Sequence, residues 1–227
     1  MKLSWQQIPS TLVSEMLCEG LDGVVIDTEH GCFNNETLYS CIQIITAKNK
    51  ICLVRLTEIN KTLIRMCLDA GASGLIFSTV EDASQAAEII DLCTYPKYGG
   101  SRGLGLVRQN KWGYSTLVSK PPIIVAQIET KRGIFNLEEI CTHNFDYYMI
   151  GPYDLSASLG VTAEFDNPVF LESIEKVRRV ITDTSQMAVH IPTDVHKHID
   201  KYDGYGIIAV GMDTTILLEG YKELNNA

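Results

Sequence analysis

Short apolar segments alternate with helical patterns along this 227-residue chain, and this alternation is what most limits the folds it can adopt. Such a βα alternation is typical of helices packed around a parallel sheet. The segments predicted as strands, of which the first is the weakest, are Lys2–Trp5, Gly23–Asp27, Ile51–Leu56, Gly74–Ser78, Ile123–Ile128, Tyr147–Ile150, Met187–His190 and Tyr205–Val210. Apolar residues recur every three or four positions in the helical segments Glu36–Lys48, Lys61–Ala70 and Ala83–Cys93. Eight such units predict an α/β fold of the TIM (β/α)8 barrel type.

Composition narrows the domain count and the classes of partner. No Pro-, Ser- or charge-rich linker divides the chain, so residues 1–227 are predicted to form one domain. The formal net charge of -9 and the absence of a basic patch argue against nucleic acid or an anionic membrane and favour small-molecule partners. Seven cysteines, never spaced Cys-x-x-Cys, predict reduced thiols packed in a core. With no secretory signal and no long apolar run, they predict a cytoplasmic protein.

Ionisable residues occur at the carboxyl ends of the predicted strands. Asp27 and His30 follow the second strand, and Arg55 lies near the end of the third. Glu129 ends the fifth strand, and Asp154 follows the sixth. In a parallel barrel these ends meet on one face, where binding and catalytic groups collect. These residues, far apart in sequence, are therefore expected around one pocket.

Glu129 and Asp154 each have a structural and a functional interpretation. Glu129 suits the N-terminus of a helix, and Asp154, in Gly151-Pro-Tyr-Asp, suits a helix cap or a turn. Alternatively, two carboxylates on neighbouring strand ends, without a His or Cys cluster, provide hard oxygen ligands. Such ligands favour Mg²⁺ or Mn²⁺, with water and substrate in the remaining positions.

Arg55 and His30 also have two interpretations each. Arg55 is the single charge in an apolar strand and must pair with a partner. That partner is either Asp27 or Glu29 in a structural ion pair, or a carboxylate or developing oxyanion of a ligand. His30 is either an ordinary loop histidine or an acid/base whose tautomer and basicity Asp27 sets. Glu29 itself has no assigned role.

The remaining sequence features exclude several chemistries. The chain lacks the glycine motifs of dinucleotide and nucleotide triphosphate sites and the Gly-x-Ser-x-Gly of serine hydrolases. No lysine ends an apolar strand, so a carbonyl substrate is expected to need metal activation rather than a Schiff base. His190 ends the seventh strand and is a further candidate for the same face. The long irregular segment from Tyr95 to Gly113 is typical of a functional loop, and we expect it to cover the pocket.

Six stretches, in an order and spacing that extend over nearly the whole chain, resemble one known family. They are Ile-Asp-Thr-Glu-His-Gly from Ile26, Val-Arg from Val54, Leu-Asp-Ala-Gly-Ala from Leu68, Tyr-Pro-x-Tyr-Gly with Ser-Arg-Gly from Tyr95, Gln-Ile-Glu-Thr from Gln127, and Ile-Gly-Pro-Tyr-Asp-Leu-Ser-Ala-Ser-Leu-Gly from Ile150. The family is the HpcH/HpaI aldolase family of metal-dependent, pyruvate-type aldolases, related to citrate lyase beta chains. The last of these stretches is the most specific.

The resemblance implies roles for individual residues. It implies His30 with Asp27 as the catalytic acid/base pair, Arg55 on the substrate oxygen, Gln127 in the pocket, backbone amides around Tyr153 and Asp154 for the substrate carboxylate, and Glu129 and Asp154 as metal ligands. It also implies cleavage of a 4-hydroxy-2-oxo acid to pyruvate, or a related 2-oxo acid, and an aldehyde through an enolate. The expected ion is Mg²⁺, with Mn²⁺ or Co²⁺ as alternatives.

The resemblance further implies a modified barrel that assembles as a homo-oligomer, a hexamer built from dimers. These dimers exchange their last helix, here Asp213–Leu224. Two departures from the family pattern affect these expectations. Tyr153 replaces a common alanine and is expected to narrow the acceptor pocket, and the short amino end is expected to leave the first strand incomplete. The alternative functions are a citryl- or malyl-thioester lyase and a catalytically silent sugar-acid binding protein.

Overall fold

The computed structural model describes residues 1–115 and 120–225, and its strands form a closed parallel barrel. Each strand pairs with the next along the chain, and the last pairs with the first. The strands are β1 Lys2–Gln6, β2 Gly23–Asp27, β3 Ile51–Leu56, β4 Gly74–Phe77, β5 Ile123–Ile128, β6 Tyr147–Ile150, β7 Met187–Ile191 and β8 Ile207–Val210. The predicted α/β barrel is confirmed.

Helices follow the strands and cover the outside of the barrel. They are α1 Thr11–Leu17, α2 Asn35–Ala47, α3 Lys61–Ala70, α4 Ala83–Cys93, α5 Lys131–Phe135, α6 Leu137–Ile140, α7 Pro152–Ser158, α8 Pro168–Val180, α9 Val195–His198 and α10 Asp213–Asn225. Short 3-10 helices span Pro96–Tyr98, Arg108–Gly113, Thr184–Gln186 and Ile199–Tyr202. None of the helices described is both long enough and apolar enough to cross a bilayer.

The predicted bounds of the strands agree closely with the structure, but the expectation that the first strand is incomplete is not met. Four predicted strands have the observed bounds, and the other four differ by one or two residues at an end. The short amino end does not leave β1 incomplete, so that expectation is wrong. Ser4 of β1 pairs with Val24 on one side and with Val210 on the other, and these pairings close the ring.

The barrel interior changes from apolar to polar along the strands. Because side chains alternate between the two faces of a strand, every second residue points inward. The inward residues of the lower layers form one buried apolar cluster: Leu3, Trp5, Val25, Leu53, Ile76, Val125, Met149, Ala188, Ile207 and Ala209. Two positions further along their strands come the polar residues Asp27, Arg55, Ser78, Gln127 and His190. The carboxyl-terminal mouth is therefore where charged and polar side chains collect.

The cysteines are free thiols, as the sequence predicts, but one of them is not in the core. Burial raises the pKa of the Cys67 and Cys93 thiols to about 12, so they are unreactive core residues. Cys32 is exposed in the turn that follows β2. The prediction that all seven pack in a core is wrong at that position.

The long segment from Tyr95 to Gly113 lies on the side of the barrel opposite to the mouth. The Arg102 guanidinium pairs with Asp69 near the end of α3 at 2.8 Å, and its Cζ lies 4.4 Å from the Tyr95 ring centroid. The side chain of Arg108 lies beside Gly71, where α3 ends. Since α3 ends before β4 begins, these contacts lie at the amino-terminal ends of the strands. The predicted cover over the mouth of the same barrel is therefore wrong.

Candidate active site

Asp27, at the end of β2, is the centre of a buried charged group. Arg55 Nε donates to Asp27 Oδ1 over 2.9 Å, and Arg55 Nη2 donates to Asp27 Oδ2 over 2.7 Å. The two residues are partners in the β2–β3 register, which aims both side chains into the barrel. This two-point contact fixes the plane of the guanidinium.

Two residues of β1 and the turn after it complete the shell around the Asp27 carboxylate. Trp5 Nε1 donates to Asp27 Oδ2 over 3.2 Å, and Gln7 Nε2 donates to the same oxygen over 3.0 Å. Burial alone raises the pKa of Asp27. The hydrogen bonds and charge of Arg55, with those two further donors, outweigh burial and lower the pKa from 3.8 to about 2. Asp27 is therefore held as a carboxylate.

Arg55 contacts both of the acids that the sequence offers as partners. Besides Asp27, Glu29 Oε2 lies 2.7 Å from Arg55 Nη1. The geometry makes this an ion-pair contact rather than a directed hydrogen bond, since no donor is aligned on Glu29 Oε2. The structural ion pair of Arg55 therefore forms with both acids. We call Trp5, Gln7, Asp27, Glu29 and Arg55 the Asp27 cluster.

Asp27 contacts His30 through the backbone and not through the imidazole. Asp27 Oδ1 accepts hydrogen bonds from the backbone N–H groups of Glu29, at 3.0 Å, and His30, at 3.3 Å. The His30 side chain itself is exposed. The expectation that the carboxylate sets the imidazole tautomer is therefore not met, and Asp27 instead shapes the turn that carries His30.

A chain of hydrogen bonds joins this cluster to the start of α10. The Asp213 carboxylate accepts from the backbone N–H groups of Gln7, at 2.9 Å, and Ile8, at 2.8 Å. The Thr214 hydroxyl donates to Gln7 Oε1 over 3.1 Å. Gln7 Nε2 is thereby directed to Asp27. This connection was not predicted, because it depends on β8 closing the barrel against β1.

Glu129, directly after β5, is the centre of a second group. Its side chain is 3% exposed. The Thr79 hydroxyl donates to Glu129 Oε1 over 2.6 Å, and Gln127 Nε2 donates to Glu129 Oε2. Burial raises the pKa of Glu129, the charges of Glu29 and Asp154 raise it further, and the two hydrogen bonds act in the opposite direction. Asp27 and Glu129 stand at the carboxyl ends of two strands of the same barrel, so the two groups share one mouth.

Gly151, after β6, makes room for the Glu129 carboxylate. A Cβ atom on Gly151 would lie 2.5 Å from Glu129 Oε2 and 3.2 Å from Gln127 Nε2, so a side chain here would displace the acid. Asp154 lies in the first turn of α7 and is exposed to solvent. We call Thr79, Gln127, Glu129, Gly151 and Asp154 the Glu129 cluster.

Tyr153, on the same turn as Asp154, is exposed and packs against Phe165. Its ring is 61% exposed and meets the Phe165 ring edge-on, with centroids 5.1 Å apart. The backbone of this turn is the predicted donor for a substrate carboxylate. This turn begins α7 and carries Asp154 of the Glu129 cluster, which is compatible with that role. The Tyr153 phenol itself packs on Phe165 in the loop before α8.

The oxygen atoms of the Glu129 cluster fit a divalent cation. Gln127 Oε1 is buried and has no hydrogen-bond partner, and Glu129 carries an excess of neighbouring negative charge. Carboxylate and amide oxygens are the ligands that hard cations prefer. In the described part of the chain, no three His, Cys, Asp or Glu side chains are grouped to hold an ion. The two acids therefore fit a site that water and substrate would complete.

Comparison with known proteins decides the family. Residues 8–219 match the family described as HpcH/HpaI aldolase/citrate lyase. The chain belongs to this family. The resemblance in the sequence motifs is thereby confirmed, as is the prediction of an enzyme of the lyase class. Members of the family generally depend on a divalent metal ion.

The proteins to which this chain is similar have different named activities. The chain is 31% identical over 222 residues to 2-keto-3-deoxy-L-rhamnonate aldolase of Escherichia coli O17:K52:H18, covering 93% of this chain and 82% of the relative. A Burkholderia cenocepacia HpcH/HpaI family structure superimposes with a TM-score of 0.89 at 25% identity, covering 100% and 93% of the two chains. Citrate synthase SbnG superimposes with a TM-score of 0.83 at 25% identity, covering 99% and 91%.

Proposed function

We propose that this chain is a metal-dependent aldolase that cleaves a 4-hydroxy-2-oxo acid to pyruvate, or a related 2-oxo acid, and an aldehyde. The observation that carries the proposal is the Glu129 cluster. It has a buried carboxylate and an unpartnered amide oxygen in the same mouth as a fixed guanidinium. A 2-oxo acid presents adjacent carboxylate and keto oxygens, which match a cation held by few protein ligands.

Glu129 and Asp154 would hold the ion, for which Mg²⁺ is the first expectation and Mn²⁺ or Co²⁺ the alternatives. When bound, a divalent ion supplies Lewis-acid stabilisation of the enolate oxygen. Gln127 holds the Glu129 carboxylate through its amide nitrogen, and its buried amide oxygen is left without a hydrogen-bond partner. Gly151 keeps the approach to that carboxylate open.

Arg55 contributes a preorganised positive charge. Asp27 holds its Nε and Nη2 atoms, so the guanidinium needs no reorganisation when charge develops on substrate. The remaining Nη1 is paired with Glu29, whose side chain is 19% exposed and therefore at the solvent side of the pair. We propose that Nη1 is the donor that meets the substrate oxygen.

His30 is the proposed acid/base for the substrate hydroxyl. Its imidazole is exposed at the mouth on a turn that Asp27 Oδ1 holds through two backbone N–H groups. In cleavage, His30 takes the proton of the 4-hydroxyl as the carbon–carbon bond breaks, and in synthesis it returns the proton. An imidazole can both accept and return a proton, as cleavage and synthesis require.

The likeness to citrate synthase SbnG favours a second candidate, chemistry on citryl- or malyl-type thioesters. Such a reaction would also pass through an enolate, but the substrate would need space for coenzyme A. A silent sugar-acid binding protein is the alternative from another class. The exposed His30 and the held Asp27–Arg55 pair support catalysis over silent binding.

The deciding test is release of pyruvate from a panel of 4-hydroxy-2-oxo acids, 2-keto-3-deoxy-L-rhamnonate among them. We expect activity to disappear with a chelator and to return with Mg²⁺, Mn²⁺ or Co²⁺. Full activity after metal removal contradicts the proposal. Cleavage of citryl- or malyl-coenzyme A with no cleavage of free acids selects the second candidate, and ligand binding without turnover selects the third.

We further propose that the chain acts as a homo-oligomer. Within α10, Asp213 is the buried residue, while Ile216, Leu217, Leu218, Tyr221 and Leu224 are each more than half exposed. A cavity of about 660 Å³ lies between this helix and the barrel. An apolar helix with so little contact suits exchange between subunits. Sedimentation velocity tests this, with a hexamer expected and a monomer contradicting it.

A further inference from the structure

Trp5, at the mouth end of β1, has a histidine stacked on its ring. The indole and the His190 imidazole have ring centroids 3.9 Å apart and planes within 10° of parallel. Such close, parallel contact leaves the indole little freedom to rotate about its side-chain bonds. The Arg55 Cζ atom also lies 4.9 Å from the indole centroid, so the ring touches both the histidine and the catalytic arginine.

The orientation of the indole matters because its N–H donates a hydrogen bond to Asp27. Trp5 Nε1 donates to Asp27 Oδ2, the same oxygen that accepts from Arg55 Nη2. A rotation of the indole would remove this donor from a buried carboxylate. It would also remove an aromatic surface from beside the guanidinium. The Asp27–Arg55 geometry therefore depends on where the Trp5 ring lies.

His190 is itself held in place by the barrel. It follows the inward residue Ala188 by two positions on β7, so it points into the mouth. Its Nε2 lies 3.1 Å from the carbonyl oxygen of Gly211, which follows β8. A carbonyl only accepts, so Nε2 carries the hydrogen. Burial lowers the pKa of His190 to about 4, so the ring is neutral and adds no repulsion to Arg55.

We propose that His190 is a positioning residue: its flat ring, stacked on Trp5, fixes the indole N–H on Asp27 and thereby the guanidinium of Arg55. The inference rests on the proposed function, in which Arg55 and Asp27 act on the substrate. His190 needs no contact with substrate for this role. This series of contacts begins at His190 on β7 and passes the end of β8 to Trp5 on β1. From Trp5 it continues to Asp27 on β2 and Arg55 on β3, and these five strands are consecutive neighbours in the barrel.

The test follows the Trp5 indole directly. The chain has two tryptophans, and Trp112 is 60% exposed in the long segment away from the mouth. In a Trp112→Phe background, the indole N–H of Trp5 gives a single ¹H–¹⁵N cross-peak. Asp27→Asn identifies how that cross-peak responds when the acceptor changes. His190→Leu removes the flat ring, His190→Phe keeps it, and His143→Leu is the control for loss of a histidine elsewhere.

In His190→Leu we expect faster solvent exchange of the indole N–H and a fall of about 10-fold in kcat, with KM changed less than about 3-fold. His190→Phe should keep both the cross-peak and kcat within about 3-fold of the background. If His190→Leu does not fold, His190→Met takes its place as the non-aromatic variant.

Two outcomes overturn the proposal. One is an indole cross-peak and a kcat that are unchanged in the non-aromatic variant. The other is a His190→Phe protein that loses both as fully as His190→Leu, since a flat ring would then not be what matters. A wild-type protein that releases no pyruvate from any substrate contradicts the proposed function instead. The indole measurement needs no substrate, so it still decides whether His190 holds Trp5 on Asp27.

Discussion

The two polar sides of the barrel mouth are built in opposite ways. In the Asp27 cluster, both carboxylate oxygens of the central acid have donors, and its pKa is held near 2. In the Glu129 cluster, the central acid has an excess of negative neighbours and a raised pKa, and Gln127 Oε1 lacks a partner. A guanidinium neutralises the central acid of the Asp27 cluster, whereas Glu129 has neutral donors and further acids around it. We call the Asp27 cluster the complete side of the mouth and the Glu129 cluster the incomplete side.

This difference indicates a division of labour. A buried polar group without a partner costs stability, so a protein keeps one where a ligand will supply the partner. The complete side provides fixed charges that need no rearrangement during a reaction. The incomplete side is where a cation and the substrate oxygens are expected.

Removing the central charge of the incomplete side should have the largest effect. Glu129→Gln keeps the shape of the side chain but removes the charge that would hold the ion. We expect kcat/KM for pyruvate release to fall on the order of 1,000-fold, equivalent to about 4 kcal/mol. Calorimetric titration with Mn²⁺ should show a matching loss of binding, with the free energy of unfolding little changed.

The matched control for Glu129→Gln is Glu172→Gln, at an exposed position of α8. It removes the same charge from the chain, away from the mouth. Equal loss of Mn²⁺ binding in the two variants would show that the effect is one of net charge. The contrast between the two clusters would then not concern a cation.

On the complete side, Arg55→Lys should cost far more than conservation of charge suggests. A lysine cannot span both oxygens of Asp27, so the two-point contact is lost. We expect kcat/KM to fall about 100-fold and the free energy of unfolding to fall by about 2 kcal/mol. Urea denaturation and the pyruvate assay measure the two effects.

Arg132→Lys is the control for this substitution, because Arg132 pairs with Asp82 at 2.5 Å while its side chain is 61% exposed. An exposed pair contributes little, so its replacement should leave stability and activity nearly unchanged. If the two arginine variants behaved alike, the Asp27 cluster would not be the preorganised side of the mouth.

Acid should weaken the complete side over a defined pH range. The pKa of Asp27 is about 2 when folded and 3.8 ordinarily, so its contribution to stability is present above about pH 4. That contribution is lost as the pH falls from about 4 towards 2, and it amounts to about 2 kcal/mol. Chemical denaturation at stepped pH should show this loss in the wild type and not in Asp27→Asn. Asp166→Asn, on an exposed loop, should retain the wild-type slope.

The sequence predicts the acids and the arginine of both clusters and names Asp27 and Glu29 as possible partners of Arg55. It does not predict the other groups that hold these side chains. Asp27, Arg55 and Glu129 stand at the ends of β-branched apolar runs, and a parallel barrel brings such ends together. The contacts of Trp5 with His190 depend instead on ring closure between strands far apart in the chain. The direction of the His30 ring and the side of the barrel taken by the segment after Tyr95 depend on loop paths, which no periodicity encodes.

Thr79 also escapes prediction from sequence, and it offers the finest test of the incomplete side. It is a β-branched residue with φ of 56°, a left-handed conformation that is strained for its type. Its hydroxyl donates to Glu129 Oε1. Strain of this kind persists where the surroundings need it, here to aim a hydroxyl at the acid. Thr79→Val should weaken Mn²⁺ binding about 10-fold, and Thr79→Ser should not.

Thr79→Gly separates the hydroxyl from the strain. Glycine adopts a positive φ freely, so relief of about 1–3 kcal/mol of strain opposes its entropic cost of about 0.5–1 kcal/mol. The glycine variant should therefore be at least as stable to urea as the wild type while binding Mn²⁺ as weakly as Thr79→Val. A glycine variant that is less stable than wild type and binds Mn²⁺ normally would show that Thr79 serves the fold and not the Glu129 cluster.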